Sequence, residues 1–333
     1  RSPRVIKKNN NEAVRILNPP DRQQMAKGSI VQLIVPPLCM MGITLAVSIF
    51  LKQGSYVLMS AGGTLVTLIV SVSKYFSDKK ECKINRSEYL LEMRKKIYER
   101  REAEIEADAF NYPALQEIFR MVEQRSSRIY ERNYNDEDFL KLVIGHTCSE
   151  VSFPIELDYN ELSVEKDVLL QEAEQIREES LMLPNKPITV DMKKAHIGVV
   201  GEKRIVHEQL KLLVSQLTFF QSYHDIEIII IYDAKYDDDF RWMRWYPHFK
   251  LNELNVSGCV NSDKMRDQVL GSLTQILKGR KEKLDESKKE SKFLPHYIFI
   301  IDEPQMIMDH SIMEYLDKDG AQLGFSIIYT SYF

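Results

Sequence analysis

Between Lys27 and Lys52 the chain carries no charged residue, and between Lys52 and Lys74 it again carries none. A helix needs about 20 mainly apolar residues to cross a hydrocarbon core of roughly 30 Å, and each half is long enough. Helices buried in a soluble core rarely stay uncharged for so long. The pattern therefore predicts a two-helix transmembrane hairpin over residues 28–73, turning at Lys52-Gln53-Gly54-Ser55. Basic residues crowd both outer flanks, among them Arg15, Arg22 and Lys27 before the hairpin and Lys74, Lys79, Lys80 and Lys83 after it; the turn has Lys52 alone. Positive charge is retained on the cytoplasmic side, so both termini are expected in the cytoplasm, in a plasma-membrane protein of two spans whose flanks touch lipid headgroups. Pro36-Pro37 should kink the first span, and the small residues Ser60-Ala61-Gly62-Gly63-Thr64 let another helix approach the second.

The flanks of the hairpin organise the rest. Residues 1–27 read as a polar, basic linker broken by Pro3 and Pro19-Pro20. Residues 74–133 read as a helical stalk. Asp78 to Asn111 is dense in Glu, Arg and Lys and holds neither Gly nor Pro, which favours helix. Leu91, Tyr98, Ile105 and Tyr112 recur every seven residues, but Arg94, Arg101 and Asp108 fill the companion positions, so a mostly solvated helix is expected rather than a strong coiled coil. Pro113 ends it, and Leu115, Ile118, Phe119 and Val122 mark a second amphipathic helix. The four cysteines are far apart and form no CxxC pair, which suggests neither a disulfide framework nor a zinc site. The chain starts without methionine and stops soon after an apolar run, so an internal piece of a larger protein is expected.

From residue 134 to residue 333 the texture is α/β. Phe139 to Ile144, Val151 to Leu157, Pro187 to Met192 and Ala195 to Val200 read as strands, with an acidic helix over Val164 to Ser180. An apolar-periodic helix through Leu210, Leu213, Val214 and Leu217 precedes the isoleucine-rich run Ile226 to Tyr232, which reads as a strand buried on both faces. A helix over residues 263–290, the strand Tyr297 to Ile301, a helix from Met308 to Leu316 and the strand Phe325 to Tyr329 complete the series. Such alternation predicts a doubly wound parallel sheet.

Two places in this domain could carry chemistry. The strand Tyr297 to Ile301 ends in Asp302-Glu303, where an Asp can hold hydrated magnesium beside a phosphate and a Glu can orient water, the logic of a Walker B element. Its partner would be a phosphate-binding loop after Ala195 to Val200, with glycines, a Lys and a Ser or Thr at set positions. Here the loop reads Gly201-Glu202-Lys203-Arg204-Ile205-Val206-His207-Glu208, so Val206, His207 and Glu208 stand where Gly-Lys-Ser/Thr should be. Val206 resists the backbone angles glycine permits, and Glu202 and Glu208 put negative charge beside the phosphates. Gly201, Lys203, His207 and Glu208 thus belong to a degenerate loop where cofactor binding is not expected, and Walker A is absent. Arg241, Trp242, Arg244 and Trp245 interleave cations with aromatics, a pattern read as half core and half protein interface rather than a nucleic-acid surface. No metal-ligand spacing and no Ser/His/Asp arrangement is present.

The series of segments resembles the FtsK/SpoIIIE-type translocase ATPases, and most closely the membrane-bound type VII secretion ATPases of the EssC/YukB/EccC group from Gram-positive bacteria and their actinobacterial relatives. Asp233-Ala234-Lys235 after an apolar strand is similar to that family's Asp-Pro-Lys. Tyr246-Pro247-His248-Phe249 resembles its Leu-Pro-His-Leu, and the long helix with Lys278-Gly279-Arg280-Lys281 its Glu-Met-Glu-Arg-Arg helix. Tyr297 to Glu303 resembles its Walker B strand, and Gly324 to Thr330 the strand that follows; Ser331-Tyr332 replace its Gln-Arg. The resemblance implies a P-loop-NTPase-like (RecA/FtsK-like) domain that has lost Walker A, with Asp302 and Glu303 vestigial and no cofactor bound in this segment. It implies ATP and magnesium at active ATPase domains downstream in the parent protein, which would drive export of small helical WXG-type proteins. The implied partners are other membrane subunits, those downstream domains, further copies of the chain, the bilayer and, indirectly, the exported proteins, with no nucleic acid. A membrane-anchored DNA translocase and a non-enzymatic scaffold are the alternatives; the first needs a basic channel that this sequence does not display.

Overall fold

A computed structural model describes residues 3–16, 30–51, 54–157, 168–286, 292–317 and 320–333. In chain order the short strand β1 (Val14–Ile16) precedes the helices α1 (Ile30–Leu51), α2 (Gly54–Asn111) and α3 (Leu115–Glu123). Strands β2 (Lys141–Glu150) and β3 (Ile155–Leu157), helix α4 (Val168–Leu181) and strand β4 (Met182–Asp191) follow. Then come β5 (Ile197–Gly201), α5 (Lys203–Phe220), β6 (Ile226–Ile231) and the one-turn α6 (Asp237–Phe240). Short strands β7 (Lys250–Leu251), β8 (Val256–Ser257) and β9 (Cys259–Val260) lead to α7 (Asp263–Glu286) and β10 (His296–Ile301). The one-turn α8 (Met313–Leu316) and α9 (Gly320–Leu323) and the strand β11 (Phe325–Tyr332) end the chain.

The chain divides into two compact units, one of Arg1–Lys8, Glu106–Cys148 and Pro184–Phe333, the other of Asn9–Ile105 and Ser149–Leu183. The second, helical unit is built on α1 and α2. With no Gly or Pro beyond Gly63, α2 continues without a break through the region read as stalk, a single helix of 58 residues. Its middle is only half solvated: Met93 and Ile97 are buried with Phe153, Ile155, Ala173 and Ile176, beside the parallel pair β1 and β3. Glu104, also buried, accepts from the amide of Ser152 at 3.1 Å.

The residues expected as a hairpin form α1 and the first part of α2, and α1 runs through Pro36 and Pro37. Its turn at Lys52-Gln53 and the flank at residues 17–29 lie outside the described residues. Among the described residues no helix is long and apolar enough to cross a membrane. The two expected spans are therefore not found among the described residues.

The first unit holds the α/β core. Its five-stranded sheet has the order β5-β11-β10-β6-β9, and every neighbouring pair is parallel. The isoleucine run of β6 is explained by this position: Ile228 and Ile230 face one cluster with Leu210, Leu213, Val214 and Leu217 of α5. Ile229 and Ile231 face the other, with Val269, Leu270, Leu273 and Leu277 of α7. Because helices cover both faces, every residue of β6 and β10 is buried, and alternation disappears from the sequence. Gly258 makes the close approach of β9 possible; a Cβ there would overlap the carbonyl oxygen of Ile228. Arg280, within the Lys278 to Lys281 segment, closes the lower edge: Nη1 donates to the carbonyls of Leu323 and Gly324, and Nη2 to that of Pro295.

Several boundaries differ from the sequence reading. Strand pairing begins at Met182 rather than Pro187 and extends β2 to Glu150, while Val151 to Pro154 is irregular. The helix expected over Met308 to Leu316 shrinks to α8, after a 3-10 turn at Pro304–Met306. Residues 164–167 and 287–290, expected as helix ends, lie outside the described residues.

The same unit buries an ionic cluster that the sequence reading left unassigned. Arg132 is fully buried over the Phe220 ring, 3.7 Å from its centroid. Its Nε lies 3.1 Å from Asp138 Oδ2, and its Nη1 and Nη2 donate to the carbonyls of Lys141 and Asn111. Arg4, from the stretch read as a linker, donates to the same Asp138 oxygen at 2.6 Å and to Glu131 at 2.8 Å. Arg128 completes the group on Glu131.

Candidate functional site

In a parallel sheet the carboxyl ends of the strands are where a ligand would be held. At that edge β5, β11 and β10 lie side by side, so β11 separates the strand that would feed a phosphate loop from the strand ending in Asp302. The register places Tyr332 opposite Gly201 and Tyr329 opposite Ile301, which brings Thr330 and Tyr332 beside the Asp302 carboxylate.

The loop itself is missing as backbone, not merely altered in sequence. β5 ends at Gly201 and α5 begins at Lys203, leaving Glu202 as the only residue between them. A phosphate-binding loop requires several consecutive amides wrapped round the anion. One residue supplies no such cradle, and Val206, within the would-be loop, is a buried side chain of the first helical turns. The junction of β5 and α5 therefore offers no run of loop amides to an anion.

Asp302 is occupied from within the chain. It is 5% exposed, and its Oδ1 accepts hydrogen bonds from Thr330 Oγ1 at 2.7 Å and from the Tyr332 hydroxyl. Among the described residues Oδ2 is buried without a hydrogen-bond partner. The Tyr332 proton is committed to the carboxylate, so the contact between Tyr332 Oη and His207 Nε2 at 3.1 Å requires the imidazole to donate. His207 Nδ1 then faces Asp239 Oδ2 at 3.7 Å, and its ring packs edge-on against Phe240. Burial holds the imidazole below its ordinary pKa despite the pull of Asp302 and Asp239, so it is neutral at pH 7. Burial and the Asp302 hydrogen bond push the Tyr332 phenol upward. The result is a closed chain of hydrogen bonds running from α5 to β10.

The other sequence candidates are distributed round this edge. Lys203 pairs with Asp239 at 3.2 Å and lies 3.5 Å from the centroid of the Tyr236 ring. Glu208 is exposed and pairs with Lys211, which lowers its pKa through the hydrogen bond. Glu303 sends its amide to the Ile231 carbonyl and precedes the 3-10 turn. The two tryptophans separate: Trp242 packs on the core and donates to the Asp239 carbonyl, whereas Trp245 is 83% exposed. Arg241 and Arg244 pair with Asp238 and Asp237. Asp237 also accepts from the Tyr232 hydroxyl and from Asn261, so this acidic segment is tied to the sheet end. Among the described residues no group of three or more His, Cys, Asp or Glu is placed to hold a metal ion. Thr330 and Tyr332 were not chosen from sequence as Asp302 partners; the signal was their place at the end of the strand next to it.

No protein-family model matches the chain. Among curated proteins, the type VII secretion system protein EssC of Staphylococcus aureus is 30% identical over 341 residues, 99% of this chain and 23% of its own length. The ESX secretion system protein YukB of Bacillus subtilis is 29% identical over 336 residues, 98% of this chain and 22% of its own length. The chain thus spans less than a quarter of the curated relatives it matches. Among solved structures, ATPases 2 and 3 of Thermomonospora curvata EccC align over 59% of this chain and 29% of that one, at 14% identity and a TM-score of 0.37. The cytoplasmic domain of EssC aligns over 52% and 42%, at 15% identity and a TM-score of 0.30. Likeness at that level carries no argument, and the sequence match does the placing: this chain is a segment related to the type VII secretion proteins EssC and YukB.

Proposed function

We propose that the segment anchors a type VII secretion ATPase in the plasma membrane and couples that anchor to ATPase domains elsewhere in the parent protein, without turning over nucleotide itself. The observation that carries this reading is the β5–α5 junction of one residue, with Asp302 engaged by Thr330 and Tyr332. A domain so built has the sheet of a nucleotide-binding fold and no place for the phosphates. Its use is then mechanical, as a rigid body that positions neighbouring ATPase domains and other membrane subunits. Titration of the chain with magnesium and ATP tests this: no saturable binding is expected, and micromolar binding abolished by Asp302→Ala contradicts it.

Membrane anchoring through α1 and the first part of α2 belongs to the same proposal. Described apolar side chains there are left uncovered by the rest of the chain, including Met40 at 62%, Ile43 at 61% and Phe50 at 92% on α1. Val66, Ile69 and Val70 on α2 are about as exposed, between 59% and 60%. Hydrocarbon is the solvent such a surface fits, and the uncharged runs of the sequence match its thickness. The chain reconstituted with liposomes should float with them after alkaline carbonate washing. Release of the chain by carbonate is the contrary result.

A further inference from the structure

Where α2 leaves its uncharged run, the charges are sorted round the helix. The uncharged residues Gly54 to Ser73 extend for about 30 Å at 1.5 Å per residue, and the first charge after them is Lys74. At about 100° per residue, Lys79, Lys80 and Lys83 all fall within about 60° of Phe76 round the axis, whereas Asp78 and Glu81 fall about 140–160° from it. The three lysines are exposed, and so is Phe76, at 58%. One face is therefore basic and aromatic, and the opposite face is acidic.

The basic face disfavours the helix that carries it. Lys79 and Lys83 stand four residues apart and Lys80 and Lys83 three apart, spacings at which like charges repel. No acidic residue stands three or four positions from any of them. Further along the same helix the lysines do have that relief, Lys96 with Glu92 at 2.8 Å and Lys95 with Glu99 at 3.9 Å. The complement to Lys79, Lys80 and Lys83 must be an anion from outside the helix.

The direction of the helix says where that anion lies. Helical side chains tilt toward the N-terminus, which for α2 is toward the apolar run, so the three lysines lean back to its end. Along the axis Lys79 and Lys80 follow Lys74 by about 8–9 Å and Lys83 by about 14 Å. A headgroup layer is about 5–8 Å thick, and the field of its charges reaches about 8–10 Å further. All three lysines fall within that range, and an aromatic ring such as Phe76 suits the interface itself.

We propose that Lys79, Lys80 and Lys83, grouped round Phe76, form a headgroup site for anionic phospholipid. The site rests on the reading of the uncharged runs as membrane spans. It adds a selectivity that anchoring alone does not require, because hydrocarbon contact with the spans does not distinguish an anionic headgroup from a zwitterionic one.

The full chain in mixed phosphatidylcholine and phosphatidylglycerol bilayers, read by electron paramagnetic resonance of spin-labelled lipids, tests the site. The wild-type chain should hold phosphatidylglycerol over phosphatidylcholine by about fivefold, the worth of one lysine near an anionic surface. Salt at about 1 M should remove most of that preference, since the Debye length is then about 3 Å. Lys79→Gln combined with Lys80→Gln and Lys83→Gln should bring the ratio near one with helix content unchanged, because Gln and Lys have similar helix propensities. Lys95→Gln with Lys96→Gln, about 30 Å beyond Lys74, should leave the preference in place. Release of the wild-type chain from these bilayers by alkaline carbonate overturns the anchoring and the site with it. A chain that stays in the bilayer overturns the site alone if it shows no preference for phosphatidylglycerol, if the triple variant keeps the preference, or if the Lys95→Gln, Lys96→Gln variant loses it equally.

Discussion

Replacing Asp138 by asparagine is expected to destabilise the α/β unit by about 3–5 kcal/mol, the cost of leaving buried charge without its partner. Asp138 Oδ2 serves two guanidiniums, Arg132 at 3.1 Å and Arg4 at 2.6 Å. The cluster already sets three cations, Arg4, Arg128 and Arg132, against two carboxylates, Glu131 and Asp138. Burial lowers the Arg132 pKa to about 10, so it stays charged at pH 7 and cannot escape by losing a proton. Asn has the same shape and no charge, which isolates the electrostatic effect from packing. Removing one cation with Arg4→Met should then cost less in the Asp138→Asn background than in the wild type. Urea unfolding followed by tryptophan fluorescence reads the α/β unit specifically, because Trp242 and Trp245 are the only tryptophans and both lie in it. A loss below about 1 kcal/mol would show that solvent reaches the cluster.

Acidification is the second large effect. His248 and His296 are buried as neutral imidazoles, with pKa values lowered by desolvation to about 4 and about 3 from the ordinary 6.5; Arg280 and Lys193 add to the depression at His296. Each ring already donates through Nε2, His248 to the Gln221 carbonyl and His296 to Ser326 Oγ, whose own proton goes to the Met192 carbonyl. Their Nδ1 atoms are buried without a partner among the described residues, so an added proton meets no acceptor. The unfolded chain binds these protons below pH 6.5 and the folded chain does not, so stability falls as pH falls, down to about 4 for His248 and about 3 for His296. Between pH 7 and 5 the loss should be roughly 2 kcal/mol for each histidine. Glu227, whose carboxyl is pushed up by burial, works in the opposite sense. Unfolding free energies at pH 7, 6 and 5 should show a slope approaching about two protons; a flat profile would mean that water reaches both rings.

The central strands were legible because burial on both faces writes itself as an uninterrupted apolar run: Ile226 to Ile231, Tyr297 to Ile301 and Phe325 to Tyr329 all became neighbours in one sheet. The amphipathic helices α3 and α5 were legible from their spacing. What sequence could not supply was partnership over distance. Arg132 and Asp138 sit in a charge-rich stretch that looks like solvated loop, and nothing local shows that Arg4, more than 120 residues earlier, closes the cluster. Strands β2 and β4 were misjudged at their ends because they are half exposed and β4 runs through Pro184 and Pro187. The α2 helix was read as two pieces because its composition changes from apolar to charged near Lys74, although nothing in the backbone interrupts it.

At the candidate site, sequence identified the substituted loop and the carboxylates, and the structure adds what surrounds them. A helix that starts one residue after β5 leaves only Glu202 for a phosphate cradle, and Asp302 Oδ1 accepts from Thr330 and Tyr332 of the intervening strand, while Oδ2 has no hydrogen-bond partner among the described residues. His207, standing where a phosphate loop opening at Gly201 would have its lysine, contacts the Tyr332 hydroxyl at 3.1 Å. The groups that engage Asp302 come from β11, and His207 is linked to it only through Tyr332.

The most direct test of that account is calorimetric titration of the complete 333-residue chain with ATP in the presence and absence of magnesium. The account predicts no saturable heat up to about millimolar nucleotide, for the wild-type chain and Asp302→Ala alike. Magnesium-dependent binding in the micromolar range, lost in Asp302→Ala, would contradict it.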